Sequence, residues 1–100
     1  MPTYEIVLER RAIKELDKLP GGARFRIASA LDGLSDQPRP HGLETLDARK
    51  KLYRLRVGSY RVVYQIQDAR LVVLVVRIGD RKEVYRRLDD LLKRTPTPDE

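Results

Sequence analysis

The chain has 100 residues, 21 Lys and Arg against 15 Asp and Glu, a net charge of +6, and no cysteine. That length holds one hydrophobic core and therefore one domain, because small domains bury too little of their surface to build two. The missing cysteines exclude disulfides and thiolate metal sites and suit a reducing compartment, while the excess positive charge favours a polyanionic partner.

The opening residues, MPTYEIVLERRAIKEL, carry a charge every few positions and lack the apolar stretch of a signal peptide. The longest apolar run, residues 71–76, is too short to span a membrane. These features predict a soluble, cytoplasmic protein without a membrane partner.

Residues 3–8 alternate Tyr4, Ile6 and Leu8 with Glu5 and Val7, which predicts a strand. Over 9–19, Ala12, Ile13, Leu16 and Leu19 recur at helical spacing. Pro20-Gly21-Gly22 breaks that pattern. A second helix is expected over 23–34, with Phe25, Ile27, Ala28, Leu31 and Leu34 on its buried side, making an αα-hairpin. Residues 35–47 contain Pro38, Pro40 and Gly42 and read as a loop anchored by Leu43 and Leu46.

Three strands are expected next, over Leu52–Val57, Tyr60–Gln67 and 70–78. The run 71–76 is apolar at every position, as in an interior strand covered on both faces. Val84, Leu88, Leu91 and Leu92 return to helical spacing, and TPTPDE reads as a disordered tail. The expected class is α+β, in the order β-α-α-β-β-β-α. It is an antiparallel sheet with an N-terminal helical hairpin and a C-terminal helix, forming one domain over 1–94 with a tail over 95–100.

Gly58-Ser59 between two strand patterns suits a type II′ turn. The register then opposes Val57 to Tyr60, Arg56 to Arg61, Leu55 to Val62, Arg54 to Val63 and Tyr53 to Tyr64. Tyr53, Leu55, Val57, Tyr60, Val62 and Tyr64 share one face; Arg54, Arg56 and Arg61 share the other. A slip of one residue would bury the arginines.

Two arginines directly opposed in a sheet repel each other. From Arg49 to Arg61 there are six basic residues, including Lys50 and Lys51, and no acidic one, so no carboxylate of that stretch offsets them. Arginine suits phosphate because its planar fork donates paired hydrogen bonds and stays charged. This face is the candidate phosphate site.

A second basic patch holds Arg77, Arg81, Lys82, Arg86 and Arg87 beside Asp80 and Glu83. Antiparallel pairing of the last two strands would return Arg81 to the Gly58-Ser59 end, where Arg56, Arg61, Arg81 and Tyr85 would converge. A tyrosine there would stack on a base or, its phenol made more acidic by positive neighbours, move a proton. Tyr85 also fits the spacing of a helix-packing aromatic. The one histidine, His41, lies in the Pro-rich loop and reads as incidental. No acidic or histidine cluster suggests a metal site, and no cofactor is expected.

The segments LYRLRVGSYRVVYQI and LVVLVVRIGDRKEVY closely resemble the RelE branch of the RelE/ParE toxin superfamily, and the element order extends the resemblance over nearly the whole chain. It implies a toxin of a type II toxin–antitoxin system, cutting mRNA in the ribosomal A site without a metal, by attack of a ribose 2′-OH to give a 2′,3′-cyclic phosphate. It implies catalytic roles for Arg56, Arg61, Arg81 and Tyr85, and RNA binding by Arg54, with Lys50, Lys51, Arg77 and Lys82 as further basic contacts. The implied partners are mRNA, the ribosome with its rRNA, and a RelB-like antitoxin with an acidic segment that folds on binding. Where the best-studied pattern has lysine on the second strand, this chain has arginine, a poor general base. Two alternatives share the fold: a ParE-like gyrase inhibitor, and a member that binds RNA or ribosomes without cutting.

Overall fold

The computed structural model describes residues 3–80 and 88–98. Strand β1 (Glu5–Leu8) leads into helices α1 (Arg10–Asp17) and α2 (Gly21–Asp36). Strands β2 (Glu44–Asp47), β3 (Leu52–Val57) and β4 (Tyr60–Gln67) follow. A single 3-10 turn over Asp68–Arg70 precedes β5 (Val72–Asp80), and α3 (Leu88–Arg94) comes last. The strands form one sheet in the order β1-β5-β4-β3-β2. No described helix is long and apolar enough to cross a membrane.

The class is α+β, as expected, but the sheet is mixed rather than antiparallel. β1 runs parallel to β5, from Glu5 beside Val72 to Leu8 beside Val75. Alternation assigns a strand its two faces and says nothing about its direction, which here follows from the helices that leave its end. A second correction is β2, which lies in the expected loop. It pairs Glu44 with Arg54 and Thr45 with Tyr53, then bulges before Asp47 meets Leu52. Four residues without apolar alternation carry no strand signal; the edge of β3 supplies their pairing. β5 also starts later than expected, because Leu71 takes a left-handed φ of 54° that a strand cannot hold.

Helices α1 and α2 cover one face. Ala12, Ile27, Leu31 and Leu34 pack on Val62, Tyr64, Ile66, Val73, Val75 and Ile78. On the other face Leu91 of α3 joins Leu52, Val63 and Val76, with Leu46 and Leu74 at the margin. Residues 62–66 of β4 are therefore buried at every position. Each large side chain so buried contributes about 1.5–3 kcal/mol.

Phe25 is 72% exposed and Ala28 is exposed, so neither belongs to the buried side assigned to them. The buried stripe is Ala23, Ile27, Leu31 and Leu34, and Phe25 sits about 200° around the helix from Ala23. Gly21 and Gly22 begin α2 rather than break the chain, with Pro20 as its cap. The start of the expected tail is seated. Thr95 Oγ1 donates to the Leu91 carbonyl, and the Pro96 carbonyl accepts from buried Gln65 Nε2.

Two carboxylates close the edges. β1 ends at Leu8, leaving the outer edge of β5 unpaired beyond Val75. Glu15 of α1 fills that gap: one oxygen accepts from the Ile78 backbone N–H at 2.9 Å, the other from Arg77 Nε at 3.1 Å. At the opposite end of the sheet Asp68 accepts from Tyr4 Oη at 2.7 Å, from both terminal nitrogens of Arg39, and from Lys51 Nζ at 3.0 Å. Arg39 also lies over the Tyr53 ring, and Tyr64 Oη donates to the Pro38 carbonyl, so the 37–43 loop is tied to the sheet twice. Burial pushes the Tyr64 phenol up, which keeps it a neutral donor.

The Arg39 guanidinium, then the Tyr4 hydroxyl and the Lys51 ammonium, hold the Asp68 carboxyl well below the ordinary carboxylate range, against its partial burial. The folded carboxyl is harder to protonate than the unfolded one. Its contribution to stability is complete at neutral pH and declines progressively as pH falls below about 4, where the unfolded chain protonates first, vanishing only once the folded carboxyl also protonates.

Three outcomes are expected. Urea unfolding of Asp68→Asn at pH 7 will show a loss of about 1 kcal/mol, modest because solvent screens a carboxylate this open; at about pH 2.5 the gap between variant and wild type will be narrower. Glu15→Ala takes the carboxylate from buried Arg77 and from the Ile78 N–H and will cost about 3 kcal/mol by the same assay, with Glu15→Gln milder. Gly58→Ala forces an alanine into positive φ and will lower stability by about 1 kcal/mol, a fall of roughly 4–8 °C in Tm.

Candidate nucleic-acid interface

The hairpin is the local origin of the site. Gly58 has a φ of +61° and Ser59 does not share it, as a type II′ turn requires. The pairs are Val57–Tyr60, Arg56–Arg61, Leu55–Val62, Arg54–Val63 and Tyr53–Tyr64, as expected from the turn. Arg56 and Arg61 thus stand directly opposed beside the turn, on the face away from α1 and α2. Arg56 is exposed and its Nε donates to the Gly58 carbonyl at 3.3 Å; Arg61 Nη1 donates to the Tyr60 carbonyl at 3.0 Å. These contacts help orient the two forks, and the five donors of a guanidinium let each one serve more than one acceptor.

β5 completes this end. Arg61 is paired with Gly79 and Tyr60 with Asp80, so β5 delivers the chain to the hairpin end immediately before position 81. Gly79 puts no side chain beside Arg61, and Asp80 shares the opposite face with Tyr60. A further cation arrives from α2. The Arg26 terminal nitrogen lies 3.4 Å from where a Cβ on Gly58 would stand. Sequence reasoning missed Arg26, because nothing in the helix pattern signals that its exposed face meets a turn so distant along the chain.

The other candidates are distributed elsewhere. Arg54 is ion-paired with Glu44 of β2 and its side chain is only 15% exposed. Glu44 lies outside the stretch 49–61, and so does Asp68, which holds Lys51. Pairing across the sheet and the turn therefore supplies counter-charges that the stretch itself lacks. Lys50 and Lys51 lie at the far end of β3, about 17 Å along the strand from Arg56. The Lys50 carbonyl accepts from Gln65 Nε2. Arg77 is 3% exposed and bonded to Glu15, so it is a core ion-pair member rather than a surface contact for RNA. His41 is exposed, in the turn before Gly42. Arg81, Lys82 and Tyr85 lie outside the described residues. Among the described residues no group of three or more His, Cys, Asp or Glu side chains is placed to hold a metal ion.

The described part of the site is thus two opposed arginines at the end of a rigid two-stranded ribbon, with a third guanidinium behind the turn. Such an arrangement binds phosphate oxygens through paired, charge-assisted hydrogen bonds and stabilises negative charge that grows on them. It is held by main-chain pairing on both sides of β4, so little ordering is left to be done on binding.

Comparison with known proteins shows the family. The model of the ParE toxin of type II toxin–antitoxin systems matches residues 6–85. The mRNA interferase toxin RelE of Escherichia coli K12 is 33% identical over 86 residues, covering 82% of this chain and 90% of that protein. Among solved structures, a double arginine-to-alanine mutant of E. coli RelE in the free state superposes with a TM-score of 0.78 at 27% identity, covering 94% of this chain and 99% of the other. RelE in the intact E. coli RelBE toxin–antitoxin complex superposes at 0.68 with 30% identity, covering 77% and 95%. With the strand order, the hairpin register and the family match in agreement, this chain belongs to the RelE/ParE superfamily of type II toxin–antitoxin toxins.

Proposed function

We propose that this toxin is an endoribonuclease that cuts mRNA held in the ribosomal A site, using the hairpin end as its phosphate site. The observation that carries the reading is the direct opposition of Arg56 and Arg61 at the end of the sheet where β5 finishes, with Asp80 paired to Tyr60. A like-charged pair in a sheet is destabilising on its own and becomes favourable when a phosphate sits between the forks. The resemblance to a protein named mRNA interferase points to the same chemistry.

In this reaction the ribose 2′-oxygen bonds to the adjacent phosphorus and the P–O5′ bond breaks. The 2′-OH loses its proton, O5′ gains one, and the products are a 2′,3′-cyclic phosphate and a 5′-OH. The step needs no metal if guanidiniums carry the charge that develops on the non-bridging oxygens. Arg61 and Arg81 take that role, and Arg56 holds the neighbouring phosphate with an added contact to the transition state. Tyr85 stacks on a base or moves a proton. Arg54 is a flanking contact whose guanidinium Glu44 competes for, and Lys82 extends the basic surface. The proposed partner is an antitoxin of RelB type with an acidic segment, by analogy with the RelE complexes.

A gyrase-directed activity is the competing reading, because the family model that matches is named for ParE. The two readings separate in one experiment on ribosome-bound mRNA. Wild type is expected to cut in the A site, Arg61→Ala and Arg81→Ala to lose roughly 100-fold or more in rate, and Tyr85→Phe to lose rate if the phenol moves the proton. A protein that occupies ribosomes without cutting would overturn the nuclease reading. Gyrase inhibition with unimpaired translation would establish the ParE-like activity instead.

A further inference from the structure

A second basic feature lies outside the hairpin face. Between α1 and the free edge of β5 is a cleft of about 470 Å³ lined by Arg11, Lys14, Glu15, Lys18, Arg77 and Gly79. Arg11, Lys14 and Lys18 follow one another at helical spacing, so they form a single stripe along its rim. Glu15 is the one carboxylate in this lining. It is occupied by Arg77 Nε and the Ile78 N–H, and it meets Arg11 only at 3.9 Å. Lys14 and Lys18 are exposed, and no carboxylate among the described residues pairs with them.

The placement runs against helix electrostatics at one end. The first turn of α1 contains Arg10 and Arg11, with Glu9 at the N-cap as the one acidic residue there, although the positive end of a helix dipole favours anions. Basic residues in the last turn are the favourable half of that rule and by themselves would mean only a solvated face. Arginines in the first turn are not. A bound polyanion removes this local conflict as it removes the one between Arg56 and Arg61.

The cleft also has a fixed relation to the hairpin. Gly79 lines it and is the β5 partner of Arg61. The α1 stripe and the arginine face therefore flank the same end of β5. We propose that the α1–β5 cleft is a second RNA site, which grips the phosphate backbone of folded RNA while the hairpin face takes the strand to be cut. This rests on the RNA-directed reading above. It explains why the basic surface continues from the arginine face around the edge of the sheet.

The test measures salt-dependent binding of a 16-base-pair RNA duplex by fluorescence anisotropy. Wild type is compared with Lys14→Ala/Lys18→Ala and with a charge-matched control at the far end of the sheet, Arg49→Ala/Arg70→Ala. Each lost phosphate contact lowers the slope of log K against log salt by about 1. The Lys14/Lys18 variant is expected to lose about 2 in slope, and the control less than half of that. Equal losses in both variants, no loss in the Lys14/Lys18 variant, or no duplex binding by wild type would each overturn the proposal. The result is separable from the nuclease reading. Cutting by wild type with an unchanged slope overturns the cleft alone; a reduced slope without cutting overturns the nuclease alone.

Discussion

The double pairing of β4 is the constraint on which the molecule depends. Its residues 62–66 are buried on both faces, between β3 in one register and β5 in the other. A shift of one residue in either pairing would carry Tyr64 out of the core and Arg61 into it. The same two registers put Arg56 opposite Arg61 and Gly79 beside Arg61. The geometry of the functional end is thus a consequence of core packing, since no contact among the arginines themselves would hold them together. The one irregularity, between Val63 and Tyr64, lies next to Arg77 and marks where β5 leaves β1 for the Glu15 carboxylate.

Charge is sorted by the same scaffold. Asp68, Glu44 and Glu15 hold Arg39, Lys51, Arg54 and Arg77, all away from the turn. Those pairs tie a loop, an edge strand and a helix to the sheet. At the hairpin end Arg56 rests on a turn carbonyl and Arg26 approaches from the helical side. The net charge of +6 does not reveal this placement: a turn, an edge strand and a helix supply the carboxylates that hold Arg39, Lys51, Arg54 and Arg77 within the fold. Placing charge on main-chain-braced strands preorganises it, and preorganised charge is what a phosphoryl transition state rewards.

Some of this was legible from residues alone. Alternation over Leu52–Val57 and Tyr60–Gln67, with Gly58 between them, determined the hairpin, its turn type, its register and the shared face of Arg54, Arg56 and Arg61. Those are local properties: a two-residue turn leaves one register, and the period of a strand assigns faces without reference to the rest of the chain. The helical stripes and the α+β class were likewise local. Phe25 shows the limit of the method, because a loose apolar pattern admits a residue that the actual helix phase turns to solvent.

Tertiary structure decided what depends on encounters distant in sequence. The parallel direction of β1, the pairing of β2, the burial of Arg77 against Glu15, the capture of Lys51 by Asp68 and the approach of Arg26 to Gly58 all join segments with no shared local pattern. A guanidinium reads the same in sequence whether it will be buried, paired or offered to a phosphate. The sequence by itself determined that three arginines share a hairpin face. The fold decided that Glu44 holds Arg54, because a counter-charge acts through distance in space and not along the chain.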